Sequence, residues 1–230
     1  MISPSTSVAM TICPASSAED DLATRVALNL SLIRDRIIAT GRSPDDISVV
    51  AVTKTFGPEH VAAAHAAGLT TVGENYAQEL ARKRPFVDVP MVWQYLGALQ
   101  TNKIHQLCAV SDLIASVSRV KELEKIATAS RRVPIYLQID FTGRTERNGA
   151  RLEDLPGLLS RAEQLEIDVR GLMTVAAPGP SAAASFHDLR AAVDDFGLSV
   201  CSMGMTEDLE AACEQGSNEI RVGRGLFGQR

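Results

Sequence analysis

Eight short apolar runs, each separated from the next by a stretch of chain long enough for a helix, set the narrowest limit on how this sequence folds. They are Ile47–Thr53, Thr70–Val72, Met91–Leu96, Leu113–Val117, Ile135–Asp140, Val169–Thr174, Ser199–Ser202 and Glu219–Val222. Runs of Val, Ile, Leu and Ala flanked by turn chemistry read as strands covered on both faces, the pattern of parallel sheets. Between them, Pro58–Ala67, Tyr76–Arg84, Arg119–Ser130, Leu152–Glu166, Ser181–Phe196 and Thr206–Gln215 read as helical. This alternation predicts an α/β fold, and eight repeats fit a single (β/α)8 TIM-like barrel. The second and fourth runs are short, so a doubly wound open sheet is the alternative.

A longer amphipathic helix precedes the first strand. Asp20–Thr40 carries Leu22, Val26, Leu28, Leu30, Ile33 and Ile37 close to helical spacing, and Gly41 with Ser43-Pro44-Asp45-Asp46 ends it. The segment before it is rich in Ser, Thr, Ala and Pro, without the basic start or apolar core of a signal peptide. The expected organisation is a disordered tail over residues 1–19 and one barrel domain over residues 20–230.

Composition removes several function classes. The net charge is −5 and aromatic content is 4%, which argues against a nucleic acid as the main partner. Cys13, Cys108, Cys201 and Cys213 are far apart and the four histidines form no metal-ligand pair. They read as reduced thiols of a cytoplasmic protein with no metal site. No apolar run reaches the roughly 18 residues of a membrane span.

Chemistry-bearing residues fall where strands give way to helices, the end at which α/β barrels place their ligands. Val49-Val50-Ala51-Val52-Thr53 runs straight into Lys54. A lysine there is either a rim residue that snorkels to water or, desolvated toward its neutral amine, a Schiff-base former. Asn75, after Val72-Gly73-Glu74, either bonds a ligand or caps the next helix; Glu74 and Glu79 can bias that helix start. Ser202-Met203-Gly204 opens a helix start with free N–H groups, although Glu207 and Asp208 sit beside it. Arg221 lies within the last strand and must meet an anion or an acceptor there, an acid of this chain included. Gly223 and Gly225 bracket Arg224 in a turn that lets backbone amides approach a phosphate. Met173 packs on a ligand or on its neighbours. An aldehyde, a phosphate and a ring nitrogen would satisfy lysine, turns and arginine together, and pyridoxal 5′-phosphate has all three.

Six ordered motifs carry a family resemblance: Ala51-Val52-Thr53-Lys54-Thr55, Gly73 to Glu79, Leu96 to Lys103, Gly171-Leu172-Met173-Thr174, Ser202 to Ala211, and Ile220-Arg221-Val222-Gly223. From about Asp20 to Gly228 the chain resembles the pyridoxal phosphate homeostasis protein family (YggS/PROSC-like), whose fold is similar to the alanine racemase N-terminal barrel. The resemblance implies that Lys54 holds the cofactor as an internal aldimine, that Asn75 lies beside the ring and that Arg221 faces the pyridine nitrogen. It implies that Ser202 and the amides around Met203, Gly204, Gly223 and Arg224 hold the phosphate. By the same resemblance the expected role is intracellular pyridoxal phosphate (vitamin B6) homeostasis without established catalysis. Cofactor-requiring apoenzymes are the candidate recipients, and the resemblance leans to a monomer.

An arginine opposite the ring nitrogen keeps that nitrogen unprotonated and weakens the ring as an electron sink. Racemases of similar fold add a second β-domain and a partner's tyrosine; this chain reaches Arg230 directly after its last strand, with Tyr76, Tyr95 and Tyr136 its only tyrosines. The alternatives are a small pyridoxal-phosphate-dependent racemase-like enzyme and a barrel without cofactor that regulates a partner. Two departures from the family pattern stand out. Ala98 replaces a proline, which is expected to loosen the turn before Gln100. Arg224 replaces a small hydroxyl residue; its side chain either contacts phosphate directly or swings out, leaving only its amide.

Overall fold

The computed structural model describes residues 16–144, 146–177, 179 and 181–229. Along them run α1 (Ser16–Ala39), β1 (Ser48–Val52), α2 (Pro58–Ala66), β2 (Thr71–Glu74), α3 (Ala77–Lys83), β3 (Val92–Tyr95), α4 (Ile104–Val110), β4 (Leu113–Val117) and α5 (Val120–Ala127). The second half comprises β5 (Ile135–Gln138), α6 (Leu155–Gln164), β6 (Val169–Met173), α7 (Ser181–Asp195), β7 (Val200–Ser202), α8 (Leu209–Glu214), β8 (Glu219–Val222) and α9 (Arg224–Phe227). All eight strands are parallel and close in chain order, with Val50 of β1 opposite Arg221 of β8. The barrel reading holds and the open doubly wound sheet does not, because no strand is left with an unpaired edge.

Each expected strand is present within two residues of its expected bounds. Helix α9 is an addition, the glycine turn at Gly223 being also its start, and the turn around Gln100 runs into α4. Of the expected N-terminal tail, residues 1–15 lie outside the described residues, and α1 takes in 16–19.

Side-chain alternation divides the barrel into two layers. On β8, Ile220 and Val222 join the large core between strands and helices, so Glu219 and Arg221 face the barrel axis. Leu113, Ala115, Tyr136 and Met173 form a separate apolar cluster, with Leu96 and Val200 against it. The barrel interior is thus apolar toward β4, β5 and β6, with charged residues on the β8 side.

Helix α1 buries Leu22, Val26, Leu30, Ile33 and Ile37 as one stripe, whereas Leu28 is 63% exposed, off that stripe. It packs against α2 on one side and α8 and α9 on the other. Asn29 Nδ2 donates to Leu226 O (2.8 Å), and Arg36 bonds both oxygens of Glu210 (2.6 and 2.7 Å) and Thr206 O (2.9 Å). Since α9 has only four residues, α1 closes the outer ring where a full helix after β8 would lie. Among the described residues no helix is long and apolar enough to cross a membrane.

Candidate functional site

The carboxyl ends of β6, β7, β8, β1 and β2 are consecutive around the closed barrel, so the expected residues on them form one arc. Lys54 is half-buried in the turn that directly follows β1. The next residue, Thr55, has a positive φ of 68°, a strained conformation for a β-branched residue. What holds it is a network of ion pairs. Thr55 N–H donates to Glu79 Oε1 (2.6 Å), and Lys83 Nζ donates to Glu79 Oε1 (3.0 Å), Glu74 Oε1 (2.5 Å) and Thr53 O (2.7 Å). Thr53 Oγ1 adds a 2.6 Å bond to Glu74 Oε1. Burial pushes the Glu74 carboxyl up, against the pull of Lys83 and Thr53. Glu74 and Glu79 therefore anchor the Lys54 turn instead of merely biasing a helix start. Lys83 and Thr53 are functional supports that sequence reasoning missed; the i,i+4 spacing of Glu79 and Lys83 was the available signal.

Asn75 follows β2, half-buried. It is not the helix cap, since the N-cap of α3 is Tyr76 and no side chain bonds there. Its carbonyl lies against Gly97, where a Cβ would come within 2.0 Å of Asn75 O. The Gly97 turn is held despite the missing proline: Tyr95 OH donates to Ala98 O (3.1 Å), Ser116 Oγ to Gly97 O (2.6 Å) and Arg119 Nη2 to Leu99 O (3.0 Å).

Arg221 is buried at 5% exposure. Its guanidinium donates to Ser202 Oγ (2.7 Å) and Thr174 O (2.6 Å), and among the described residues it makes no ion pair. Burial pulls its pKa down, opposed by the charges of Glu219 and Asp208. Ser202 accepts from Arg221 and keeps its own O–H to donate onward. Met173, 1% exposed, packs in the interior cluster beneath this group.

Beside Arg221, the N–H groups of Gly204, Gly223 and Arg224 donate to nothing among the described residues. Gly204 sits at φ 96°, where a Cβ would lie 2.5 Å from Ala212 Cβ, so neither the backbone nor the packing admits a side chain. The neighbouring acids are spoken for: Asp208 Oδ1 accepts from Met205 N–H (2.6 Å), and Glu207 pairs with Arg224 at 2.6 Å. One expectation needs correction and one alternative is decided. Met203 belongs to the core: its amide donates to Glu219 O (3.0 Å) to join β7 to β8, and its side chain is fully buried. The Arg224 side chain points to Glu207 in the exposed rim, so of its two expected arrangements the outward one is found, with its amide left at the turn.

Comparison with known proteins supplies the context. No family model matches the chain. The pyridoxal phosphate homeostasis protein of Pseudomonas aeruginosa is 35% identical over 220 residues, 91% of this chain and 96% of the relative. PipY of Synechococcus elongatus has been solved without and with PLP bound. The two structures superpose with TM-scores of 0.78 and 0.76 at 29% identity, covering 88% of this chain and 100% of PipY. Alanine racemase from Corynebacterium glutamicum shares the fold at a TM-score of 0.70 and 15% identity, over 90% of this chain and 61% of the racemase.

Proposed function

This chain belongs to the pyridoxal phosphate homeostasis protein family, and on that premise we propose that it binds pyridoxal 5′-phosphate at the arc of strand ends and holds it for the cell's supply. The observation that carries the reading is the convergence of a half-buried lysine, a buried guanidinium and three undonated N–H groups. The donor set fits the group. Lys54 Nζ would take the aldehyde as a Schiff base, Asn75 would lie beside the ring, and Arg221 would donate to the ring nitrogen. The Ser202 hydroxyl and the amides of Gly204, Gly223 and Arg224 would hold the phosphate, an anion suited to convergent N–H groups. When bound, the cofactor supplies a carbonyl that amines capture reversibly and a ring that withdraws electrons.

The residues favour a carrier over a catalyst. A guanidinium in contact with the ring nitrogen only donates, which keeps that nitrogen unprotonated. Two tyrosines are committed elsewhere, Tyr95 to Ala98 O and Tyr136 to Glu219, and burial pushes both phenols up. Tyr76, beside Asn75, is exposed and is the residue a racemase reading would need. Transfer to cofactor-requiring apoenzymes, in the cytoplasm and by a monomer, completes the proposal.

The test is to add pyridoxal phosphate, follow the visible band, reduce with borohydride and locate the pyridoxyl group by peptide mapping. Modification at Lys54 and its loss in Lys54→Ala is the expected result. Labelling spread over Lys103, Lys121 and Lys125 with none at Lys54 refutes the site. Sustained exchange of an amino acid's α-proton in deuterium oxide, abolished by Tyr76→Phe, would replace the carrier by an enzyme.

A further inference from the structure

The barrel interior holds a second buried group of polar residues, centred on Glu219, for which the site above has no use. Glu219 Oε2 accepts from Gln94 Nε2 (2.9 Å) and from Tyr136 OH (3.1 Å), three residues brought together from β8, β3 and β5. They are 5%, 3% and 4% exposed. Glu219 Oε1 and Gln94 Oε1 have no hydrogen-bond partner among the described residues. A carboxylate buried and half satisfied is expensive to retain unless an opposite charge lies close by. Arg221 supplies that charge. It follows Glu219 by two residues on the same strand and the same face, roughly 7 Å away along the backbone. Glu219 is also the leading acidic influence on its guanidinium. The pair makes no hydrogen bond, because Arg221 turns Nη1 to Ser202 Oγ and Nη2 to Thr174 O. Burial beside Glu219 pushes the Tyr136 phenol up, so it stays a donor to the carboxylate.

A buried cation with a buried anion behind it presents less net positive potential to a ligand than the cation alone. We propose that Glu219 is a positioning residue acting through Arg221: a buried counter-charge that weakens the site's hold on phosphate-bearing, anionic ligands and so favours their release. Gln94 and Tyr136 keep its charge in place. The proposal rests on the cofactor reading above and adds a determinant of affinity to it.

The test titrates the full chain and its Glu219→Gln and Glu219→Asp variants with pyridoxal phosphate, with inorganic phosphate and with pyridoxal. One unit charge at this range and an effective dielectric near 20 corresponds to an affinity change of roughly tenfold or more. Glu219→Gln is expected to bind pyridoxal phosphate and inorganic phosphate about tenfold more tightly, pyridoxal within about twofold, while Glu219→Asp stays close to the parent. A purely structural role predicts lower stability with unchanged or weaker phosphate binding, and that result overturns the proposal. Should Glu219→Gln fail to fold, Glu219→Met combined with Gln94→Leu removes the charge and both orphaned oxygens together; the same tightening is expected, and its absence refutes. If the parent chain takes up no pyridoxal phosphate, the cofactor reading falls. The inorganic phosphate arm still decides the role of Glu219: tightening supports it, no change refutes it.

Discussion

Replacing Lys83 by methionine removes one cation from beneath the Lys54 turn and should unfasten that turn without touching Lys54. The side chain is 4% exposed and donates to Glu74, Thr53 and Glu79. Its loss leaves Glu74, fully buried and with Oε2 already unpartnered, holding only the bond from Thr53. Breaking a buried pair in this way costs about 3–5 kcal/mol, a large share of the roughly 5–15 kcal/mol that holds a domain together. For a chain of this size that is a fall in Tm of roughly 10 °C. Thermal and urea unfolding followed by circular dichroism would measure it, with Glu74→Leu and the double variant completing a cycle. The double variant should regain much of the loss, because neither charge is then stranded.

The pH dependence of that deficit has a definite sign. Burial raises the folded-state pKa of Glu74, so above the ordinary carboxyl range the folded chain binds more protons than the unfolded one. Stability contributed by the protonated form therefore drains away as pH climbs through the raised folded value. Without Lys83 the carboxyl rises further, so the deficit should be smallest near pH 5 and grow toward pH 8. A loss under about 1 kcal/mol, the size of a surface pair, would refute the reasoning, as would a double variant no better than Lys83→Met.

Three further outcomes follow from the geometry. Gly204→Ala places a Cβ at φ 96° and 2.5 Å from Ala212 Cβ, and should cost roughly 1–3 kcal/mol in a denaturant melt; an unchanged midpoint would contradict the packing. Cys108, Cys201 and Cys213 are buried, with thiols pushed up by that burial to about 11, 12 and 11, so a thiol reagent at pH 8 should label them only as fast as the chain opens; immediate labelling of any of the three would count against this. Arg224→Thr should leave phosphate affinity within about threefold at low and high salt, because its side chain pairs with Glu207 in solvent; a large, salt-sensitive loss would mean that it reaches the anion.

The sequence made the strands legible because each is a short, nearly unbroken apolar run, and the site residues legible because they punctuate the ends of those runs. Helix α9 was missed because Gly223 and Gly225 read equally well as a turn. Residue type alone cannot say that the Met203 amide is used in closing β7 onto β8, nor which way the Arg224 side chain turns. The supports were harder still. Gln94 and Glu219 are separated by 125 positions, and nothing local in either strand announces the other. By contrast Glu79 and Lys83 are four apart, and only the burial of that pair was invisible.

The placement of α1 has a consequence for how the chain is made. Its partners in closing the outer ring are α8 and α9, and the bond from Asn29 to Leu226 spans 197 positions. A ribosome releases α1 long before either partner exists, so its apolar stripe waits uncovered on that side while the intervening chain is made. Contacts of such separation come late and slow the final step. The same helix reaches the loop after Gly204 through Arg36, Thr206 and Glu210. The end of the molecule that is to grip phosphate is therefore among the last parts to become rigid, and a nascent barrel is complete only once its final strand is free.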